Sequence, residues 1–551
     1  MGKKRIAYIS LILSLLSSNL LAMKFNIIHT NDMHSFMNYS DHDPQRGGFA
    51  TVKNIITAEK EKAKSEGIPA LAMDAGDFSE GNSFYLAQRG RMSFEAMNLL
   101  GHDVVTIGNH DYLMGTEELD QILGETTPHF AFLGANFLAD AHYTNINKFL
   151  RPYKIFNLNG LSVGVIGLTT NDILYKWRLN NAKIVSEVNT AKETIKVMKA
   201  EGAQVIIALT HLGVFKDRVL AQLVPEIDLI VGGHSHDALF TPLWSQHLNK
   251  KIPIVQAGQH GSYVGRLKLD FDPVSKKLSV LDYQLLPTYK KVYGENHEVL
   301  DYIDLSNEFL HQAYGKEWLE EENVATSQLL PESEGGSATL WGHFITDALR
   351  VSGKAHLGIH TQALSGSNYP IKGNINRRQL FDSNPRIFEF DDKYGYHVYT
   401  TDIPGFLLKF VFKAVINFKI PLYFSGVSFN YTKDKLGICR SIKNITFDGE
   451  KVKPFKLYKV AMSESIIRGG LEISSAVKLI FKNSKKLDIS MWQSLEDWAR
   501  HVGTVTPRYL EESPTFFYKT TKGQQFNQST TTPHSISRMV IDVGGVEIQP
   551  Q

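Results

Sequence analysis

The chain has 551 residues, of which 43% are hydrophobic and 21% are charged, and its formal net charge is +2. This length exceeds what one hydrophobic core usually supports, so we expect at least two domains. The near-neutral charge excludes the broad basic field typical of proteins that bind nucleic-acid polymers. The single cysteine, Cys439, excludes an internal disulfide, so the fold must depend on ordinary burial or on bound metal.

The first residues have the pattern of a targeting segment. Lys-Lys-Arg at 3–5 is a positive region, residues 6–16 are apolar, and Ala22 is a small residue suited to a cleavage site. We therefore predict a signal peptide at 1–22 and export to the periplasm, the cell surface or the medium. The alternative is a membrane anchor, but the apolar run is shorter than the roughly 20 residues that a span needs. After cleavage we expect no stable membrane insertion.

Apolar strands alternate with helical patterns from residue 24 onward. The strands are predicted at 24–28, 70–73, 104–107, 205–209 and 229–231. Strands that alternate with helices indicate an α/β layered core, in which ligands collect outside the carboxyl ends of the strands.

Each of these strands is followed by a turn that carries residue types able to bind metal. The turn residues are Asp32, His34, Asp77, Asn109, His110, His211, His234 and His236. Carboxylate, imidazole and amide groups without a thiolate suit divalent ions such as Zn, Mn, Fe, Co or Mg. A carboxylate can bridge two such ions, and Asp77 is the natural bridge. Two metals clamp the attacking and leaving oxygens of an in-line displacement and lower the pKa of a shared water.

His110 has a different predicted role from its neighbours. It follows the candidate ligand Asn109, so we expect it to face the substrate and to protonate the leaving oxygen. A lone histidine is more often a surface or core residue than a ligand, and each turn by itself is a weak signal. Five such turns after five strands are hard to obtain by chance. We interpret His42, His102 and His142, which lie outside this pattern, as structural or solvated.

The motifs in these turns resemble the signature of the calcineurin-like metallophosphoesterases. They are His-Thr-Asn-Asp-Met-His at 29–34, Gly-Asp at 76–77, Gly-Asn-His-Asp at 108–111, Thr-His at 210–211 and Gly-His-Ser-His at 233–236. Their form is that of the bacterial 5′-nucleotidase / 2′,3′-cyclic phosphodiesterase family. The resemblance implies a four-layer α/β/β/α sandwich over residues 24–285 with two divalent metal ions.

The resemblance also implies a role for each turn residue. One ion would be held by Asp32, His34, Asp77 and His236. The other would be held by Asp77, Asn109, His211 and His234. His110 would be the histidine that stabilises the transition state.

One position departs from this family pattern. Relatives continue Asn-His-Glu-Phe-Asp, and the final carboxylate orients the catalytic histidine, whereas this chain has Leu113 there. We therefore expect a loosely held His110 and a reduced rate, with metal binding intact. Asp111, from the adjacent position, is an alternative source of the orienting acid.

The second half of the chain is less regular. We predict a helical connector at 286–325, a mixed α+β domain at 326–517 that resembles the family's substrate domain, and a polar tail at 518–551. The arginine, aromatic ring and acid with which relatives grip a nucleoside are absent at 360–365, 465 and 469–471. Tyr423, Phe424 and Arg468 could form another pocket, or they could be core aromatics and a solvated arginine.

Two hypotheses of different classes follow. The first is an exported phosphoester hydrolase of the 5′-nucleotidase or 2′,3′-cyclic-nucleotide phosphodiesterase kind, whose partner is a small phosphate ester such as a nucleotide. The second is a metal-binding but catalytically weak protein whose C-terminal domain binds a non-nucleotide partner. Leu113 and the missing nucleoside grip favour the second hypothesis, whereas the complete ligand set favours the first.

Overall fold

A computed structural model describes most of the chain. The described residues are 23–40, 43–171, 176–247, 250–328, 336–361, 373–385, 394–417, 422–434, 436–471, 481, 483–506 and 538–540. The signal peptide predicted at 1–22 and most of the polar tail predicted at 518–551 lie outside them, as does His42. Within the described residues, no helix has both the length and the apolar character needed to cross a membrane.

The first half alternates strands and helices. Its strands are β1 (Met23–Thr30), β2 (Ala70–Asp74), β3 (Val104–Thr106), β4 (Ala131–Leu133), β5 (Phe137–Ala139), β6 (Leu150–Arg151), β7 (Tyr153–Leu158), β8 (Leu161–Thr169), β9 (Ala182–Ile184), β10 (Val205–His211), β11 (Leu229–Gly232), β12 (Leu243–His247), β13 (Lys250–Val255), β14 (Tyr263–Asp272) and β15 (Lys277–Pro287). Its α-helices are Phe49–Ser65, Arg91–Leu100, Thr116–Thr126, Thr144–Phe149, Glu187–Ala200 and Val214–Leu223, and its 3₁₀ segments are Ser83–Gly90 and Lys176–Arg178.

These strands form two large sheets. The first has the order β15-β14-β1-β2-β3-β4-β6 and the second has the order β12-β13-β11-β10-β8-β7. Strands β1, β2, β3 and β4 run parallel to one another, as do β8, β10, β11 and β13. Parallel neighbours bring their carboxyl ends to the same edge, so the turns after them can converge.

The two sheets pack face to face, with helices outside. Phe25 and Ile27 of β1 share one buried cluster with Ile207 and Leu209 of β10. The alternate residue Ile28 instead packs with the helix Phe49–Ser65, and Ile206 packs with the helices Glu187–Ala200 and Val214–Leu223. Side chains alternate between the two faces of a strand, so each strand contributes to two cores. The predicted four-layer α/β/β/α sandwich is confirmed.

The second half begins with a helical connection and continues as a mixed domain. Its helices are Lys290–Tyr293, His297–Tyr314, Gly336–Ser352, Arg377–Asp382, Gly405–Asn417, Glu464–Leu471 and Met491–Val502, with a π-helical turn at Glu317–Glu321. Its strands are β16 (Asn323–Ser327), β17 (Leu357–Thr361), β18 (Gly373–Asn376), β19 (His397–Pro404), β20 (Leu422–Ser425), β21 (Val427–Lys433), β22 (Cys439–Phe447), β23 (Glu450–Lys451), β24 (Leu457–Ser463), β25 (Lys485–Ser490), β26 (Thr504–Val505) and β27 (Arg538–Val540).

The main sheet of this second domain has the order β25-β19-β24-β17-β20-β27, and most of its neighbouring strands are antiparallel. Smaller sheets are β18-β16-β26 and β21-β22-β23. The predicted mixed α+β class of this domain is confirmed.

Polar contacts join the two domains beside the 3₁₀ segment Ser83–Gly90. The backbone N–H of Ser83 donates to Oδ1 of Asp382 at 2.5 Å, and Nε of Arg378 donates to Oγ of Ser83 at 3.0 Å. On the connecting helix, the hydroxyl of Tyr302 donates to Oε2 of Glu95 at 2.7 Å. These contacts hold the second domain against the edge of the sandwich that carries the polar turns.

His29 of β1 should make the protein less stable at mildly acidic pH. Its ring is fully buried, neither ring nitrogen has a hydrogen bond within the described residues, and burial lowers its pKa to about 3. The unfolded chain, with a pKa of about 6.5, takes up a proton that the folded chain does not. The free energy of unfolding therefore falls by up to about 1.4 kcal/mol per pH unit below pH 6.5.

We expect the decrease in Tm between pH 7 and pH 5 to be smaller in His29→Leu than in the unmodified protein. The exposed His142 provides the matched control, since His142→Leu should keep the full decrease. An equal decrease in His29→Leu and in the unmodified protein would contradict this account.

Candidate metal centre

The turns after β1, β2, β3, β10 and β11 meet at one edge of the sandwich. The backbone N–H of Asp32 donates to the carbonyl of Gly76 at 2.9 Å, and that of His34 donates to the carbonyl of Asp77 at 2.9 Å. The two sheets are joined by the backbone N–H of His234, which donates to Oδ2 of Asp32 at 3.0 Å. The predicted site residues are therefore brought together by backbone pairing between turns.

Several of these turn residues have left-handed backbone conformations. The φ angles are 51° for Asp32, 48° for His34, 55° for Asp77, 79° for His234 and 59° for His236. Non-glycine residues rarely adopt such angles, and each costs about 1–3 kcal/mol unless its surroundings enforce it. Such backbone strain is typical of functional sites, where it turns side chains toward a common point.

The first side-chain cluster consists of Asp32, His34 and His236. Nε2 of His34 lies 3.1 Å from Nε2 of His236 and 3.8 Å from Oδ1 of Asp32. Nε2 of His236 lies 3.3 Å from the same Asp32 oxygen. Three potential ligand atoms thus surround one point.

The second cluster consists of Asp77, His211 and His234. Nε2 of His211 lies 2.9 Å from Oδ2 of Asp77. The same Asp77 oxygen lies 3.9 Å from Nε2 of His34 in the first cluster. Asp77 therefore stands between the two clusters, as a bridging ligand must.

Asn109 and His110 complete the edge of the site. Oδ1 of Asn109 is buried and has no hydrogen-bond partner in the part of the chain that the structure describes. A buried amide oxygen without a partner is unfavourable unless it binds a ligand or water. Nε2 of His110 lies 3.9 Å from Oδ2 of Asp77, so this nitrogen faces the site.

The histidine rings are oriented by backbone carbonyls. Nδ1 of His34 donates to the carbonyl of Glu80 at 2.6 Å, and Nδ1 of His211 donates to the carbonyl of Ala75 at 2.8 Å. Such bonds fix the ring and leave Nε2 for a metal. Together with the orphaned Asn109 oxygen and the absence of thiolates from both clusters, the donor set fits two divalent ions.

The electrostatics of the site favour ionised carboxylates. Burial alone would raise the pKa of Asp77, but His211 and His110 outweigh it and hold the pKa well below its usual value. Burial likewise opposes ionisation of Asp32, and His236 lowers that pKa overall. Burial would lower the pKa of His211, but Asp77 raises it to about 10. A metal held by His211 would therefore have to displace a proton from this ring.

The expectation that His110 lacks an orienting acid is wrong. Oε2 of Glu80 contacts Nδ1 of His110. Leu113 is buried in the apolar core, as its side chain predicts. Asp111 does not act on the ring in the contacts described, since its carboxylate accepts hydrogen bonds from the backbone N–H groups of Asp77, Ser79 and Gly108 at 2.7–3.0 Å. The reduced rate was expected on the basis that His110 lacks an orienting acid, and the contact with Glu80 removes that reason.

Sequence reasoning also missed the part played by Gln256. Its Nε2 donates to the carbonyl of Gly233 at 2.9 Å, and its Oε1 accepts from the backbone N–H of Asp237 at 2.6 Å and from Oγ of Ser235 at 3.1 Å. Gln256 therefore shapes the turn that carries His234 and His236. The available signal was a polar side chain at the end of an otherwise apolar strand, which must find partners when buried.

Two of the three residues considered for an alternative pocket in the second domain are core residues. Phe424 is fully buried, and Tyr423 is buried to 8% exposure, so both are core aromatics. Arg468 is ion-paired rather than simply solvated, because its Nε lies 2.8 Å from Oε1 of Glu464. Its guanidinium also lies 4.8 Å from the ring centre of Trp177 in the first domain. The segment 362–365 lies outside the described residues.

Of the remaining histidines, His102 is buried and structural. Its Nε2 lies 2.8 Å from Oγ1 of Thr30, in agreement with the structural role predicted for it. His142 is exposed.

A four-layer α/β/β/α sandwich with two carboxylate–imidazole clusters at its strand ends defines a metal-dependent hydrolase of phosphoric esters. Comparison with known proteins gives the family. The model of calcineurin-like phosphoesterases matches residues 25–238, and the model of the 5′-nucleotidase C-terminal domain matches residues 323–478. The chain belongs to the calcineurin-like phosphoesterases that carry a 5′-nucleotidase C-terminal domain.

Individual relatives agree with this assignment. The protein 5NUC of Lutzomyia longipalpis is 28% identical over 420 residues, which cover 70% of this chain and 72% of the relative. The 5′-nucleotidase of Bos taurus is 30% identical over 271 residues, which cover 45% of this chain and only 47% of the bovine protein. The crystal structure of a 5′-nucleotidase precursor from Thermus thermophilus has the same fold, with a TM-score of 0.73 at 20% identity over 88% of this chain and 97% of that one.

Removal of the carboxylate between the clusters should reduce metal binding at both of them. We expect purified Asp77→Asn to retain less than the two equivalents of divalent metal per chain expected of the unmodified protein, measured by elemental analysis after dialysis. His236→Ala should lose only one of the two equivalents, because His236 belongs to one cluster. His142→Ala, at an exposed site, is the matched control. Two retained equivalents in Asp77→Asn would exclude the bridging position.

Proposed function

We propose that this protein is an exported hydrolase that cleaves a small phosphate ester, either a 5′-nucleotide or a 2′,3′-cyclic nucleotide. The observation that carries the proposal is the position of Asp77 between two ligand clusters, with Nε2 of His110 3.9 Å away. The targeting pattern of residues 1–22 supports export.

In this proposal the ligand residues divide as the two clusters do. Asp32, His34 and His236 would hold one ion, His211, His234 and Asn109 would hold the other, and Asp77 would be shared between them. The ions could be Zn, Mn, Fe, Co or Mg. When bound, two divalent ions supply the positive charge that polarises a phosphoryl group and makes a nucleophilic water available near neutral pH.

The remaining chemistry falls to side chains of this chain. His110 faces the site with Nε2, 3.9 Å from Oδ2 of Asp77, and from there it can donate a hydrogen bond to the phosphoryl group and a proton to the leaving oxygen. Asp32 and Asp77 stay in place because backbone N–H groups donate to their carboxylates, from His234 to Asp32 and from His110 to Asp77 at 2.8 Å. The ligands are thus pre-organised before a substrate binds.

A cavity between the domains is suited to the organic part of the ester. It has a volume of about 410 Å³ and is lined by Phe36, Tyr39, Phe84 and Arg378, among others. One of its lining residues, Phe36, stacks on His260 with the ring centres 3.7 Å apart, and the ring centre of His260 lies 5.7 Å from that of His34 in the first cluster. This volume lies within the usual range of small-molecule sites.

Within this cavity, the ring of Tyr39 is the best placed to meet a substrate. Phe36 and Phe84 are almost completely buried, whereas Tyr39 is 37% exposed. The guanidinium of Arg378 is already engaged by Ser83, Asn307 and Glu320. We therefore propose recognition by an aromatic face in this cavity rather than by the arginine and acid with which relatives grip a nucleoside.

The catalytically quiet alternative is weakened by the contact between Glu80 and His110. That alternative was based partly on Leu113, and the structure supplies an acid from another turn. Complete absence of turnover with Mn, Zn, Co and Mg would restore the binding-protein hypothesis.

The proposed activity can be tested with metal-loaded protein. We expect hydrolysis of p-nitrophenyl or bis-p-nitrophenyl phosphate, and of members of a panel of 5′-nucleotides, 2′,3′-cyclic nucleotides and sugar nucleotides. His110→Ala should lower kcat for a nucleotide, whose leaving alkoxide needs a proton, by about 10²–10⁴-fold, the usual contribution of a positioned acid–base group. The His142→Ala variant should keep full activity. A His110→Ala variant with unchanged kcat would rule out the proposed role of this histidine.

The cavity makes a separate prediction about substrate preference. Loss of an aromatic face worth about 0.5–1.5 kcal/mol should raise KM for a nucleotide roughly 2- to 10-fold in Tyr39→Ala. The KM for p-nitrophenyl phosphate should change less, because its small leaving group reaches less of the cavity. Phe215, which is 81% exposed on the helix Val214–Leu223 and does not line the cavity, gives the control Phe215→Ala. Equal changes for both substrates would place the organic group elsewhere.

A further inference from the structure

We propose that Glu80 is the positioning residue that holds His110 for catalysis. In this role it replaces the carboxylate that relatives carry three residues after the histidine, where this chain has Leu113. The inference rests on the proposed function, since it concerns the orientation of the same histidine. Its central observation is the contact between Oε2 of Glu80 and Nδ1 of His110.

The contact has the burial that a functional orienting bond requires. The side chain of Glu80 is fully buried, and that of His110 is 11% exposed. A buried carboxylate is strongly unfavourable unless it is paired, so Glu80 needs such a partner. Because the bond uses Nδ1, the other ring nitrogen points toward Asp77 and the metal clusters. Proton transfer with a substrate then takes place at Nε2, from a ring held in one orientation.

The backbone of Glu80 is fixed at the same place. Its φ angle is 52°, and its carbonyl accepts the hydrogen bond from Nδ1 of His34. Gly81 follows with no room for a side chain, since a Cβ there would lie 2.4 Å from Cβ of His34. The preceding residues are held by Phe78, whose carbonyl accepts from the backbone N–H of Ser35 at 2.8 Å. The carboxylate therefore starts from a position that is fixed relative to the metal site.

Glu80 thus acts on two histidines through different atoms. Its carbonyl orients His34, a proposed metal ligand, and its carboxylate orients His110. A side-chain substitution removes only the second interaction. A substitution of the Glu80 side chain should consequently lower the catalytic rate and leave the metal content unchanged. If Glu80 only stabilised the turn, both quantities would fall together.

The experiment is a double-mutant cycle between Glu80 and His110. Glu80→Ala should lower kcat for a nucleotide by about 10- to 100-fold with little change in KM, because the ring is no longer oriented. Glu80→Gln should recover part of this loss, since its amide oxygen can still accept from Nδ1. In a His110→Ala background, Glu80→Ala should cause no further decrease, because the two side chains act as one unit. An undiminished decrease in that background would overturn the proposal.

The leaving group provides a second comparison. A nucleoside alkoxide needs a proton when it leaves, whereas p-nitrophenolate is a weak base and needs none. The decrease in kcat caused by Glu80→Ala should therefore be smaller for p-nitrophenyl phosphate than for the nucleotide. Equal decreases for both substrates, accompanied by a lowered metal content, would assign Glu80 to the integrity of the site and not to His110.

Folding is checked by Tm and by metal content, with the exposed Glu61→Ala as the matched control. If Glu80→Ala fails to fold, the isosteric Glu80→Gln completes the cycle.

Nitrogen NMR of histidine-labelled, zinc-loaded protein supplies a readout besides activity. We expect Nδ1 of His110 to be protonated in the unmodified protein, both in the neutral ring and in the doubly protonated ring that donates from Nε2, and the Nδ1 signal to change in Glu80→Ala; an unchanged signal would overturn the inference. If the unmodified protein hydrolyses no ester, the proposed function fails, and this spectrum still decides the contact.

Discussion

The structure depends on bringing two buried carboxylates, Asp32 and Asp77, to one point between two sheets. Each is at most 1% exposed, and the ligand oxygens that they offer lie near the same imidazole nitrogens. Like charges held together without water are strongly unfavourable unless positive charge compensates them. In the chain by itself this charge comes from protonated histidines, above all His211. Divalent cations compensate the same carboxylates more completely, so the arrangement favours metal binding.

The fold supplies the geometry that this arrangement needs. Parallel strands end at a common edge, and the turns after them pair through backbone hydrogen bonds such as that from Asp32 to Gly76. Left-handed residues in these turns let closely spaced side chains face the same point. The large buried faces on both sides of each sheet supply the stability against which the strained turns are held, since each fully buried aliphatic side chain contributes about 1.5–3 kcal/mol.

Much of this site could be predicted from the sequence, because its signals are local. An apolar strand followed by a carboxylate or a histidine indicates both the position and the chemistry of residues such as Asp77 and His211. The alternation of strands and helices likewise indicates the layers. Glu80 gave no such signal, because a glutamate in a polar turn has many solvated counterparts. Its importance appears only when the turn after β2 is seen beside that after β3. Gln256 was missed for the same reason.

The second domain was harder to predict in physical terms. Its elements are stabilised by contacts between residues distant in the sequence, such as Arg378 with Ser83 and Arg468 with Trp177. Neither pairing has a sequence pattern that would predict it. The predicted class of this domain followed from mixed periodicity. The sequence did not indicate which of its aromatic residues are buried and which are exposed. In the sequence, Tyr423 and Phe424 could be either ligand-binding rings or core aromatics, and in the fold they are interior residues.

The placement of Glu80 also has an evolutionary consequence. Two neighbouring loops, one after β2 and one after β3, can each anchor an acid for the same imidazole. A homologous chain that lacks the downstream acid should therefore not be classed as a pseudoenzyme until the neighbouring loop has been inspected.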